Sequence, residues 1–152
     1  MRSAAELVVS LLICWGAAGL GGVWTASSVD GWYRTLARPS WTPPDALFGP
    51  VWAALYTAMA ISAWLVWRRA GFGWPLAAFA AQLALNVAWS GLFFGLRQVG
   101  LAVLDIAALW TAILACILLF WPVSTVAALL MVPYLAWVSF AAVLNFAIWR
   151  MN

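Results

Sequence analysis

The side chains with the most chemical potential lie inside apolar runs. Gln82, Asn86, Trp89 and Phe93 follow one another at helical spacing. At about 100° per residue they share one helix face. Amides in hydrocarbon need partners, so this face should point into a helix bundle. There Gln82 and Asn86 either hydrogen-bond to neighbouring helices or meet a ligand. Further on, Pro133, Trp137, Ala141 and Asn145 recur every four residues, with Tyr134 beside them. Pro133 frees a backbone carbonyl and is expected to kink its helix. Asp105 is the sole acid within a long apolar run. It is expected to reach the membrane interface or pair with Arg97, with ligand binding as the alternative.

The absences narrow the chemistry. There is no His, so the commonest metal ligand and general base are missing. Lys and Arg total 7 and Asp and Glu total 4, too few acids for a carboxylate cage. Cys14 and Cys116 each sit in an apolar run, which argues against a zinc site or a disulfide framework. No metal and no cofactor is expected. The net charge of +3 comes from scattered Arg and forms no basic patch, so nucleic acid is not an expected partner.

Composition says what must hold these groups. Of the 152 residues, 68% are hydrophobic and 7% charged, where a soluble domain carries about 25% charged. Mean hydropathy is +1.03. Such a chain cannot cover a water-soluble globule, and its class is an integral membrane protein. A membrane helix needs about 20 apolar residues. The charge-free runs predict five spans, near 6–27, 44–67, 74–96, 101–121 and 124–149. Trp121-Pro122-Val123-Ser124-Thr125 is the break between the last two, since Pro starts helices and Ser or Thr caps them. The runs are continuous rather than alternating, which excludes a β-barrel pattern. The fold class is therefore an all-α membrane protein: a single five-helix bundle spanning 1–152. Arg residues divide three against four between the two sides, which leaves the orientation open.

One connection is long. Residues 28–43 join the first two spans and carry Trp32, Tyr33, Arg34, Arg38 and Trp41. Long loops in compact bundles are usually functional. Thr42-Pro43-Pro44-Asp45 should form a capping box for the second span. The third span also has a stripe of small residues, Ala77, Ala81, Ala84, Ala88, Gly91 and Gly95, opposite the amide face. It suits close packing against another helix, and a homodimer is expected there.

The chain has 13 Trp. Indoles favour the headgroup level, which accounts for those near span ends, such as Trp24, Trp64 and Trp121. It does not account for Trp15, Trp52, Trp89, Trp110 and Trp137, which fall well inside spans. Together with buried amides they suit a pocket for a flat aromatic ligand.

Several blocks resemble the translocator protein family, also called tryptophan-rich sensory protein or peripheral benzodiazepine receptor. They are Trp32-Tyr33, Arg38-Pro39-Ser40-Trp41-Thr42-Pro43-Pro44 and Pro50-x-Trp52. Gln82-x-x-x-Asn86-x-x-Trp89, Pro133-Tyr134-x-x-Trp137 and Leu144-Asn145-Phe146-x-x-Trp149-Arg150 complete the set. The resemblance implies a five-helix bundle, usually a homodimer, that binds porphyrins, benzodiazepine-type ligands and, in animals, cholesterol. It implies a part in tetrapyrrole regulation and stress. Carried over, it makes Tyr33, Trp52, Asn86, Trp89, Trp137 and Ala141 pocket residues. The chemistry of the chain adds Arg34, Arg38, Gln82, Asp105 and Asn145 as candidates. Trp52 and Trp137 answer to the residues tied to a light- and oxygen-dependent porphyrin breakdown, and are the catalytic candidates if that reaction occurs. Phe146 stands where the cholesterol-recognition segment has Tyr, which argues against cholesterol. The lack of Lys with abundant Ala and Arg looks bacterial, so a bacterial cell membrane is expected, with an outer membrane, bacterial or mitochondrial, as the alternative.

Three functions compete on this reading. A porphyrin-binding receptor or regulator comes first, with indoles stacking on the macrocycle and Arg34 or Arg38 pairing with its carboxylates. A transporter of porphyrin, sterol or another lipophile is the alternative, weakened by the lack of an internal repeat or intramembrane charge pair. An enzyme degrading porphyrin in light is the third.

Overall fold

The computed structural model describes residues 1–152, and they are all-helical apart from short connections. Helix α1 spans Arg2–Val29 and a four-residue helix α2 spans Trp32–Thr35. A 3-10 turn, Asp45–Leu47, leads into α3, Phe48–Ala70. Helix α4, Trp74–Ser90, continues as a π-helix over Gly91–Gly95. Helices α5, Val99–Phe120, and α6, Thr125–Met151, complete the chain. Five of these helices, α1 and α3 to α6 with their 3-10 and π extensions, are long and apolar enough to cross a membrane. The chain is an integral, multi-pass membrane protein. Of 117 backbone–backbone hydrogen bonds, 103 lie within helices, which is the satisfaction hydrocarbon demands.

Helix α1 packs on α3 and α4, α3 on α6, α6 on α5, and α5 on α4. The spans thus close into a ring in the order α1–α3–α6–α5–α4. Side chains tie neighbours together across it. Ser62 donates to the carbonyl of Ala127 at 2.7 Å, and Trp64 donates its indole N–H to the carbonyl of Ser3 at 2.8 Å. Ser124 caps α6 as expected, its hydroxyl accepting from the Ala127 N–H at 3.2 Å.

Three local expectations change. The loop expected over 28–43 is shorter, because α1 runs to Val29 and Trp32–Thr35 are helical, leaving residues 36–44 irregular. The capping box does not form: the Thr42 hydroxyl donates to the Pro39 carbonyl at 2.7 Å, and Asp45 is taken by arginines. Asp105 does not pair with Arg97. Arg97 adopts a left-handed backbone, φ 58°, at the end of the π-helix, which aims its guanidinium over Trp32 at 5.7 Å.

The half of the bundle away from the 30–44 connector is solid. Met59, Val66, Ile113, Phe120 and Met131 are fully buried there, and Phe79 stacks on Phe120 at 6.3 Å. Cys14 and Cys116 are free and buried in the same core. Replacing both by Ala removes one sulfur at each site and should cost about 1 kcal/mol apiece. Neither lines the cavity described below, so ligand affinity should stay within about threefold. A titration of the double variant checks this, and a larger loss contradicts it.

Candidate functional site

The other half of the bundle is hollow. A cavity of about 400 Å³ lies between α1, α3, α4 and α6, next to the connector. Its deep end is walled by Trp15, Tyr56, Asn86 and Trp137, and its outer end by Tyr33, Asp45, Phe94 and Ile148. Helix α5 contributes nothing to the wall.

The deep end is built on Asn86. The Tyr56 hydroxyl donates to Asn86 Oδ1 at 2.6 Å, and Asn86 Nδ2 donates to the Tyr134 hydroxyl. One amide thus joins α3, α4 and α6. A second amide acts one turn nearer the connector. Trp89 donates its indole N–H to Asn145 Oδ1 at 3.0 Å, and Asn145 Nδ2 donates to the Val99 carbonyl at 3.1 Å. These bonds fix Trp89 against Phe93, stacked at 5.2 Å.

The side wall is aromatic. Trp52 and Trp137 lie 6.4 Å apart with ring planes at 89°, and Phe48 meets Trp137 edge-on at 6.0 Å. Both geometries are favoured aromatic contacts. The Trp137 indole N–H is buried with no partner, so an acceptor on a ligand would satisfy it. The α1 wall opposite is made of small residues, Ala18, Gly21, Gly22 and Ala26, which leave the space.

The connector roofs the outer end. Tyr33 is buried against Phe93 and Phe94, at 6.1 and 5.6 Å. Arg38 lies over the Tyr33 ring at 4.7 Å. Burial pushes the Tyr33 phenol above its ordinary value of 10.0, and Arg38 pulls part of the way back through a hydrogen bond and its charge. The Asn152 side chain grips Ala37 at both ends of its main chain, accepting from the N–H at 3.0 Å and donating to the carbonyl at 2.9 Å. The end of α6 thereby holds the roof in place.

Of the candidates read from the sequence, the cavity gathers Tyr33, Trp52, Asn86, Trp89, Trp137, Ala141 and Asn145. Four others lie off its wall. Gln82 is fully buried behind it, donating only to Met59 Sδ at 3.7 Å, with Oε1 unpaired. Asp105 is on α5, facing away, and its Oδ2 is buried without a partner. Arg34 and Arg38 sit beside the mouth, bound to acids. Sequence reasoning missed the α1 wall and Tyr56. The paired small residues Ala17-Ala18, Gly21-Gly22 and Thr25-Ala26 are the signal for it, since a helix that repeats small residues on one face leaves room there.

The small-residue stripe is divided. Ala77, Ala81, Ala84 and Ala88 lie exposed on the outside of α4. Gly91 and Gly95 have a neighbour within the chain: a Cβ on either would meet the Trp24 ring, at 3.4 and 3.0 Å. The π-helix is the reason. Its wider turn breaks the α register after Ser90, so the two glycines turn toward α1.

In chemical terms the site binds. Its wall has no basic group and a single charged side chain, Asp45. Its reactive groups are electron-rich indoles.

The comparisons agree with this architecture. The chain is 42% identical over 143 residues to a translocator protein of Sus scrofa, covering 88% of this chain and 84% of that one. It is 40% identical over 150 residues to the tryptophan-rich protein TspO of Chlorobaculum tepidum, covering 96% and 95%. It is 36% identical over 151 residues to protein CrtK of Rhodobacter capsulatus, covering 95% and 91%. Residues 8–150 match the TspO/MBR family, and the chain belongs to that family.

Proposed function

We propose that this protein is a membrane receptor or regulator that binds porphyrin-type tetrapyrroles, and similar flat apolar molecules, in the cavity beneath the connector. The observation that carries this reading is the cavity itself: about 400 Å³, walled by Trp52, Trp89 and Trp137, with an unpaired indole N–H. Binding sites for small molecules are of this size and are mostly apolar with a few placed polar groups. The resemblance to porphyrin-binding relatives supports the ligand class. No cofactor is required, and the partners are the ligand and the bilayer. Saturable binding in the dark without turnover is the expected behaviour. Uptake of porphyrin into proteoliposomes against a protein-free control would favour the transporter instead.

A second reading has its own support. Trp52 and Trp137 touch edge to face at the deep end, where an excited porphyrin would lie against oxidisable rings. If indole redox chemistry drives porphyrin breakdown, Trp52→Phe/Trp137→Phe should bleach porphyrin about tenfold more slowly in light and air. Stacking area is mostly kept, so binding should weaken by only about 1 kcal/mol. Equal bleaching at matched occupancy would leave only the receptor.

We also propose that a homodimer forms through the exposed alanine face of α4, where backbones can approach closely. Ala84→Leu/Ala88→Leu should abolish cross-linked dimers in membranes. Dimers that survive both changes would exclude this face.

A further inference from the structure

Asp45 is the one charged side chain on the cavity wall, and its sign opposes a ligand bearing carboxylates. It stands at the mouth, in the 3-10 turn that leads into α3. It also borders a polar vestibule shared with Arg38 and Thr42, so it lies where a ligand's polar edge would emerge. Its two oxygens hold both arginines of the connector, Oδ1 at 3.5 Å from Arg38 and Oδ2 at 3.8 Å from Arg34. Tight charge-assisted bonds are about 2.7–2.9 Å, so both contacts are loose enough to exchange. Asp30 occupies Arg34 from the other side at 2.8 Å. The mouth therefore has two cations and two anions, and no unengaged positive charge.

We infer that Asp45 sets the charge specificity of the cavity by competing, within the chain, for Arg34 and Arg38. This rests on the reading of the cavity as a porphyrin site. A ligand carboxylate can recruit either guanidinium only by displacing Asp45, which then faces the ligand uncompensated. An uncharged ligand of the same shape leaves the Asp45 contacts intact. The side chain is 30% exposed, so water screens the effect and limits it to about fivefold in affinity.

The test uses the purified full chain in the dark and two probes of one shape, protoporphyrin IX and its dimethyl ester. Asp45→Asn should tighten the diacid about fivefold and leave the ester unchanged. Arg38→Gln should weaken the diacid and leave the ester unchanged. Asp45→Ser supplies the same loss of charge should Asp45→Asn fail to fold. If the ester binds but the diacid does not respond to loss of the Asp45 charge, or weakens, the competition is overturned and the porphyrin reading stands. A gain shared equally by both probes also overturns it. If neither probe binds any of these proteins, the porphyrin reading itself falls, and this inference with it.

Discussion

Asn86→Leu should destabilise the protein by about 3 kcal/mol, the largest loss expected from any single change at the cavity. The amide is 2% exposed and serves two phenols at once, accepting from Tyr56 and donating to Tyr134. Leu keeps the volume but strands both hydroxyls, and Tyr134 is fully buried. A buried polar group without a partner costs about 1–3 kcal/mol, whereas one hydrogen bond in a membrane protein averages about 0.6. The stranded groups therefore decide the size of the effect. The same logic predicts rescue. Adding Tyr56→Phe and Tyr134→Phe removes the orphans, and the triple variant should recover most of the loss. Unfolding in a mixed detergent titration, followed by circular dichroism, measures both. An Asn86→Leu variant as stable as wild type would mean that the three-helix junction contributes nothing.

Much of this architecture is legible in the residues, and the failures have physical causes. The spans are readable because hydrocarbon requires long uncharged runs, and seven Arg and four acids mark nearly every boundary. The inward face of α4 is readable because Asn86 and Trp89 cannot be left to lipid. What escapes is whatever depends on a local departure from ideal helix or on a three-dimensional choice of partner. The π-helix at Gly91–Gly95 turns two glycines of a single stripe toward Trp24, and nothing in the periodicity announces that turn. Arg97 and Asp105 are two turns apart in sequence, but a left-handed residue sends the guanidinium to Trp32. The α1 wall is hard to read for the opposite reason: Gly and Ala advertise no chemistry, and their contribution is the space they leave.

That space is the central claim, and Ala141→Phe tests it most directly. Ala141 lies on the cavity wall one turn after Trp137 and takes no part in the hydrogen bonds of the site. A benzyl group there can point into the hollow rather than into packed core, so the usual cost of overpacking, about 1–3 kcal/mol, should be largely avoided. It would occupy the volume a macrocycle needs. The measurement is a dark titration of wild type and Ala141→Phe with protoporphyrin, read by quenching of Trp fluorescence, with helicity checked by circular dichroism. Wild type should quench saturably at one porphyrin per chain, and the variant should keep its helicity while losing affinity by about a hundredfold or more. Identical saturable quenching in the two proteins would contradict the account, because the porphyrin would then be bound somewhere other than this cavity.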